Sequence, residues 1–365
     1  MQARVLSSRQ ERIRSTIAGI CARGLPMVDL FGHIAAHVHE AVPYASGGWL
    51  GTDPATLLFT GAFVENVERN DCLRFKENEL CRADFAKFAQ IASSGRHATT
   101  LRSETGGELH LSPRYREIYR PIDVRDEIRT VFQAGESVLG VGCFVRVGPT
   151  PYFSGADVLF FESIAGLVGE GLRRSLLVES EATGLREPGM IVLEPDDSVQ
   201  AITPAAQSLL EEMAVDAGTS FELPSAIYHV AGLARQACRL GAAIHVPLRL
   251  RLTSGRWLLI HASPLTASTD GVARLAIMLQ PATRAQLVPL IVDLYGLTER
   301  EREVTELLVR GLAIKEIATA LSITLHTTRD HVKAVFAKFR VSSRPELTAK
   351  LFHDHYAAAP ASVTQ

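Results

Sequence analysis

Between Leu297 and Phe352 four short helical segments follow one another, each with its own start and stop signals, and no strand pattern interrupts them. Thr298 stands as an N-cap with Glu301 at the third helical position, a capping box. Its helix carries Val304, Leu307 and Leu308 on one face and stops at Gly311, which suits the left-handed position after a helix. A second helix is predicted over about Ala313–Leu321, with Ile314, Ile317, Ala318 and Leu321 inward. After a tight break at Ser322-Ile323, Thr324 caps a third helix to about Phe339. A fourth starts at Ser343, with Pro345 in the first turn, where proline is tolerated, and Glu346 at the third position.

The third helix is the most informative. At 100° per residue Thr328, Val332, Val335, Phe336 and Phe339 fall together and form the buried face. His326, Asp330, Lys333 and Ala337 lie opposite, with Arg329 on one flank and Thr327, His331 and Lys338 on the other. From Lys315 to Lys350 seven Lys or Arg stand against three acids, in a chain whose net charge is −2. A local basic surface in a near-neutral chain is the electrostatic footprint of nucleic-acid binding, and a short donor-rich helix face suits a major groove. An ordinary solvated face would look similar on any single helix. The register across four helices, joined to the charge, favours DNA.

The run Leu297-Thr298-Glu299-Arg300-Glu301-Arg302-Glu303-Val304, then Gly311, Lys315-Glu316-Ile317-Ala318, Thr327, Arg329, His331-Val332-Lys333, Phe336, Lys338 and Val341-Ser342-Ser343-Arg344 resembles the LuxR-type (GerE-like) helix-turn-helix over about 55 residues. The resemblance implies a four-helix module whose third helix enters the major groove, usually as a dimer. It places groove-facing and phosphate-facing roles on Lys315, His326, Thr327, Arg329, Asp330, Lys333, Lys338 and Arg344. Three positions depart from the family pattern. Ala313 replaces a capping Ser or Thr, Thr328 replaces Val near the core, and Arg340 replaces the Gly or Asn that ends the third helix.

The 365-residue chain is long enough for more than one domain. Upstream, two helices are predicted over 8–41, the second at Met27–Ala41. Short strands and turns are predicted over 44–150, including a hairpin around Ala134-Gly135-Glu136-Ser137, and a long helix follows Ser154. After a linker at 180–188 come strand, turn and strand from Gly189, a helix at Pro204–Met213, a hairpin around Thr253-Ser254-Gly255 and a strand at Ala273–Leu279. Residues 26–178 resemble a GAF domain and 187–282, more weakly, a PAS domain. The expected organisation is therefore multidomain α+β. An N-terminal helix (1–25) precedes a GAF-like sensory domain (26–178) and a PAS-like antiparallel-sheet domain (187–282), and a LuxR-type helix-turn-helix module (283–365) closes the chain.

Little chemistry stands out. The five cysteines, at 21, 72, 81, 143 and 238, form neither a Cys-x-x-Cys pair nor a disulfide framework. His33, His37 and Glu40 share a side of one helix, but His-Ile-Ala-Ala-His lacks the glutamate of a zinc protease, and an ordinary half-exposed surface is the simpler reading. Cys143, inside a strand, reads as a small buried hydrophobe, with a place in a ligand cavity as the alternative. No phosphate loop, nucleophile elbow, signal peptide or membrane span is expected. The expectation is a cytoplasmic, non-enzymatic regulator without cofactor. Its partners would be double-stranded DNA, a second copy of the chain, RNA polymerase and a small-molecule effector whose binding residues the sequence does not name. The alternative is a small-molecule or metal-binding sensor with secondary or lost DNA binding.

Overall fold

The computed structural model describes residues 6–177, 187–213, 222–240, 247–265 and 273–352. Helices α1 (Ser8–Cys21) and α2 (Met27–Ala41) open it. Ser7 caps α1 reciprocally with Gln10, at 3.2 Å and 3.1 Å, and Ile13, Ile17 and Ile20 turn inward at helical spacing. Strands β1 (Ser46–Thr52) and β2 (Phe59–Glu65) follow, then α3 (Arg69–Cys81), α4 (Phe88–Ser93), β3 (Ala98–Thr100) and α5 (Leu101–Glu104). Three short helical turns over 109–122 lead into β4 (Val124–Ala134), β5 (Ser137–Val147) and α6 (Gly155–Leu177). The five strands form one antiparallel sheet in the order β2-β1-β5-β4-β3. The hairpin turns where expected, with Gly135 at φ +61°, a conformation glycine adopts without strain.

Helices α1, α2 and α6 cover one face of this sheet. Trp49, Phe132, Phe144 and Phe161 form an aromatic core beneath them, with Trp49 stacked on Phe132 at 5.5 Å. On the other face Leu50, Phe59, Val131 and Val141 pack with Phe88 and Ile91 of α4. Because both faces are covered, β4 is buried almost throughout. The expectation of mostly strands and turns over 44–150 missed α3, α4 and α5. The cause in α3 is that Arg-Asn-Asp-Cys-Leu-Arg-Phe-Lys-Glu-Asn-Glu-Leu-Cys carries no apolar stripe, and two of its buried side chains are Lys76 and Asn78.

The second sheet contains β6 (Gly189–Leu193), β7 (Val199–Ile202), β8 (Leu248–Arg251), β9 (Trp257–Pro264) and β10 (Leu275–Pro281) in the order β7-β6-β10-β9-β8. Counted from its own first strand, each sheet reads 2-1-5-4-3. Helices α7 (Pro204–Glu212) and α8 (Ser225–Leu240) cover one face. The sequence reading passed over α8, although Ile227, Val230, Ala231 and Ala234 form its buried stripe.

The two units are locked by the loop between β1 and β2. Leu58 is buried in the second unit's core. The fully buried Asp53 carboxylate accepts from Arg249 N–H at 3.0 Å, Nε at 3.1 Å and a terminal guanidinium nitrogen at 2.7 Å. The Phe59 N–H donates to His229 Nδ1 of α8 at 3.1 Å.

Among the described residues strand structure ends at β10, and helices follow it to Phe352. Helix α9 (Arg284–Leu294) buries Leu287, Leu290, Ile291 and Leu294 in the same apolar cluster as the first unit's aromatic core and Trp257 of the second sheet. Four more helices follow: α10 (Glu299–Val309), α11 (Ile314–Ala320), α12 (Leu325–Phe339) and α13 (Arg344–Phe352). The chain is thus a multidomain α+β protein, with two antiparallel sheets followed by an all-α module. Among the described residues no helix is long and apolar enough to cross a membrane, and no group of three or more His, Cys, Asp or Glu is disposed to hold a metal. Glu40, on the His33–His37 helix, pairs instead with Arg9 at 3.2 Å.

Candidate nucleic-acid interface

The helix starts expected in the C-terminal module are present in atomic detail. Thr298 Oγ1 accepts from Glu301 N–H at 3.3 Å, and Thr298 N–H donates to Glu301 Oε2 at 2.8 Å. Helix α10 ends at Val309 with Arg310 as its C-cap, followed by Gly311 at φ +105°. The turn between α11 and α12 is set by Ser322 in the left-handed region, φ +53°, with Ile323 N–H donating to Ala318 O at 3.0 Å. Thr324 then caps α12 by accepting from Thr327 N–H at 3.1 Å.

Val332, Val335 and Phe339 of α12 are buried against Val304, Leu308 and Ile317, and Phe336 is half-buried. Tyr295, just after α9, stacks on Phe339 with ring centroids 4.0 Å apart. The opposite side of α12 is open: His326, Arg329, Asp330, Lys333 and Ala337 are exposed, as is Lys315 of α11. His326 Nε2 lies 3.7 Å from Asp330 Oδ2, an ion pair only when the imidazole is protonated. Thr327 is half-buried, its hydroxyl 2.9 Å from that of Thr324.

Two of the eight residues singled out from sequence lie elsewhere. Lys338 Nζ donates to Gly296 O at 2.7 Å and to Glu301 Oε2 at 2.6 Å, tying the far end of α12 to the start of α10. Burial alone would raise the Glu301 carboxyl, but Lys338 and the Thr298 N–H outweigh it and hold the group below the usual carboxylate range. Arg344 donates to the carbonyls of Leu312, at 3.0 Å, and Leu308, so it closes the C-terminal end of α10. The open face therefore gathers Lys315, His326, Arg329, Asp330 and Lys333 around a half-buried Thr327, while Lys338 and Arg344 brace the module. Leu325 was missed: it is 42% exposed in the first turn of α12, beside His326. Its signal was an apolar residue outside the helical stripe.

The three departures have structural answers. Glu316 Oε2 accepts from Ala313 N–H at 2.6 Å, so half of a capping box survives without the capping hydroxyl. Thr328 Oγ1 is satisfied by donating to Thr324 O at 2.9 Å. Arg340 occupies the left-handed region, φ 54°, where a residue with a Cβ pays a conformational cost.

Residues 296–351 match the model of the GerE family, described as bacterial regulatory proteins of the luxR family. The spore germination protein GerE of Bacillus subtilis is 44% identical over 55 residues, which is 15% of this chain and 74% of GerE. The chain belongs to the luxR family. A second luxR-type likeness, 47% identical over 64 residues, is to an Aeromonas salmonicida protein described as an HTH-type transcriptional regulator in the exeN 3′ region. It takes in 18% of this chain and 32% of that protein, so the chain spans about a third of that relative's length. Upstream, the GAF domain of an Acinetobacter phosphoenolpyruvate-protein phosphotransferase overlaps 48% of this chain and 100% of its own, at 10% identity and a TM-score of 0.34. That score is too low to say more about the luxR-family chain.

Proposed function

We propose that this chain is a cytoplasmic, sequence-specific regulator of transcription that binds double-stranded DNA as a homodimer. Its GAF-like and PAS-like upstream units would sense a signal or dimerise, and the protein would act by binding, not catalysis. The observation that carries the reading is the open face of α12, with its cations, imidazole and carboxylate carried on a helix that packs against α10, α11 and α13. In a major groove, Arg329 and Lys333 suit guanine O6 and N7 or a phosphate, and Asp330 suits the amino group of cytosine. Exposed Leu325 suits a thymine methyl.

Selection from a random duplex library on the purified full-length protein tests this. A roughly two-fold symmetric site should emerge, with half-sites about 34 Å apart if the dimer is symmetric. Its affinity should fall steeply with salt, and Lys333→Ala should lower the slope of log K against log salt by about 1 if Lys333 meets a phosphate. Failure of both the full-length protein and residues 283–365 to enrich any sequence would overturn the reading.

A further inference from the structure

The first unit holds a cavity of about 370 Å³ on the sheet face away from α1, α2 and α6, within the size range of small-molecule sites. Its floor stays open because small residues stand side by side in the sheet. Gly48 pairs with Cys143 on one side and Val64 on the other, and Ala62 pairs with Leu50. A Cβ placed on Gly48 would meet a single atom within 4 Å, Val64 Cγ1 at 3.7 Å. Phe75 and Lys76 of α3 form one wall, Ile118 and Tyr119 the other.

The polar end of this cavity has an unusual chemistry. Tyr119 donates its phenolic proton to Glu127 Oε1 at 2.5 Å, and Cys143 donates its thiol proton to the same oxygen at 3.0 Å. Glu127 is held ionised behind them. Arg114 binds its Oε2 at 2.7 and 3.1 Å, and Arg129 Nε binds its Oε1 at 2.8 Å, all fully buried. Burial works against the charged carboxylate, but the two guanidiniums outweigh it and bring it down to about 2. Tyr119 and Cys143 therefore have their protons committed away from the cavity and turn only lone pairs toward it. Glu68 and Asp71 also line the cavity, and Lys76, itself buried and with an interaction of its own, is the one cation among its described lining residues. An anionic group entering here would find no available donor from Tyr119 or Cys143. An apolar body with at most one donating hydroxyl or amide would be matched throughout.

The cavity also shares a wall with the lock between units. Phe59 lines it, and the same residue packs its ring 4.3 Å from His229 of α8 while donating its N–H to that imidazole. His229 is buried, and its Nε2 has no hydrogen-bond partner among the described residues. The hydrogen bond and the ring contact join Phe59 directly to α8, so a shift of Phe59 is felt by the second unit.

We propose that this cavity binds an uncharged, predominantly apolar small molecule, and that occupancy is transmitted to the second unit through Phe59 and His229. The regulatory meaning of that transmission rests on the sensing role proposed above; the binding itself does not. The test uses the full-length protein and N-phenyl-1-naphthylamine, an uncharged apolar fluorophore. Saturable fluorescence enhancement is expected, with the anionic 1-anilinonaphthalene-8-sulfonate at least tenfold weaker. Gly48→Leu should weaken the probe at least tenfold while the far-ultraviolet circular dichroism is unchanged. Hydrogen–deuterium exchange of the unaltered protein locates the site without any variant: the probe should protect peptides covering 46–50 and 115–119, and also 225–240 of α8. No saturable signal, an equal or tighter anionic probe, protection confined to other segments, or a folded Gly48→Leu protein of unchanged affinity overturns the site. Protection at 46–50 without protection at 225–240 overturns the transmission. Probe uptake by a protein that selects no DNA sequence would keep this inference and remove the regulator reading, and the reverse result would do the opposite.

Discussion

Replacing Lys338 by Met separates bracing from DNA contact. The ammonium is 2.6 Å from Glu301 Oε2 and 2.7 Å from Gly296 O, with side-chain exposures of 33% for Lys338 and 9% for Glu301. A hydrogen bond to a charged group contributes about 1.5–3 kcal/mol and a fully exposed ion pair about 0.2–1 kcal/mol. A pair one-third open on one side and nearly closed on the other lies between, so Lys338→Met should cost about 2 kcal/mol, part of it from the carboxylate left behind. Native-state hydrogen exchange reads this locally, where global unfolding of a multidomain chain would blur it. Amides of α10 and α12 should exchange roughly thirtyfold faster, since about 1.4 kcal/mol is a factor of ten. The salt slope of DNA binding should not change. Unchanged exchange in α10 and α12, together with a slope reduced by about one, would show that Lys338 leaves Glu301 to meet a phosphate and would refute the bracing argument.

Arg340→Gly should stabilise the end of α12 by about 1 kcal/mol, because glycine accepts φ 54° without the left-handed penalty, and slower exchange of the last α12 amides would register it. Arg249→Ala strands the Asp53 carboxylate, whose side chain has no exposure, and should cost about 3–5 kcal/mol. Calorimetry should then resolve the two sheet units as separate transitions; a single unshifted transition would contradict the lock. Asp126, raised to about 6 chiefly by burial, holds its proton more tightly folded than unfolded. Its stabilising contribution is therefore full at acid pH, below the ordinary aspartate range, and declines as pH rises to about 6. Asp126→Asn should flatten the urea-midpoint profile across that window. Glu301 has the opposite sign: its folded value is lowered, so its contribution is full at neutral pH and is lost as acidification carries it below the ordinary carboxylate range. Glu301→Gln should abolish that acid-side loss.

The C-terminal module was legible because its determinants are local. A capping box needs residues three apart, and a helix face needs only its period, so Thr298, Thr324 and the Val332–Val335–Phe339 stripe could be placed without a fold. The long hairpin, with its glycine turn, was legible for the same reason. Helix α3 was not: its buried Lys76 and Asn78 make sense only beside a sheet and a helix distant in sequence. The Glu127 cluster gathers Arg114, Tyr119, Arg129 and Cys143 from a turn and two strands, and no spacing rule links them. Cys143 read first as a small buried hydrophobe and alternatively as a cavity-lining residue; it lines the cavity, and the thiol proton it donates to Glu127 had no signal in the sequence. Lys338 and Arg344 show the limit of a helical wheel. It orders side chains by angle, but whether a cation on the flank reaches outward or back to a neighbouring carbonyl depends on the next helix.

Leu58 sets a condition on how such a chain can be rearranged. It belongs to the first sheet's hairpin loop by sequence and to the second sheet's interior by position. A recombinant that joins this second unit to another upstream half would inherit an interior lacking one leucine and an Arg249 lacking its carboxylate. The two units are therefore heritable as a pair: a crossover between α6 and β6 would part Leu58 and Asp53 from the interior and the arginine they serve.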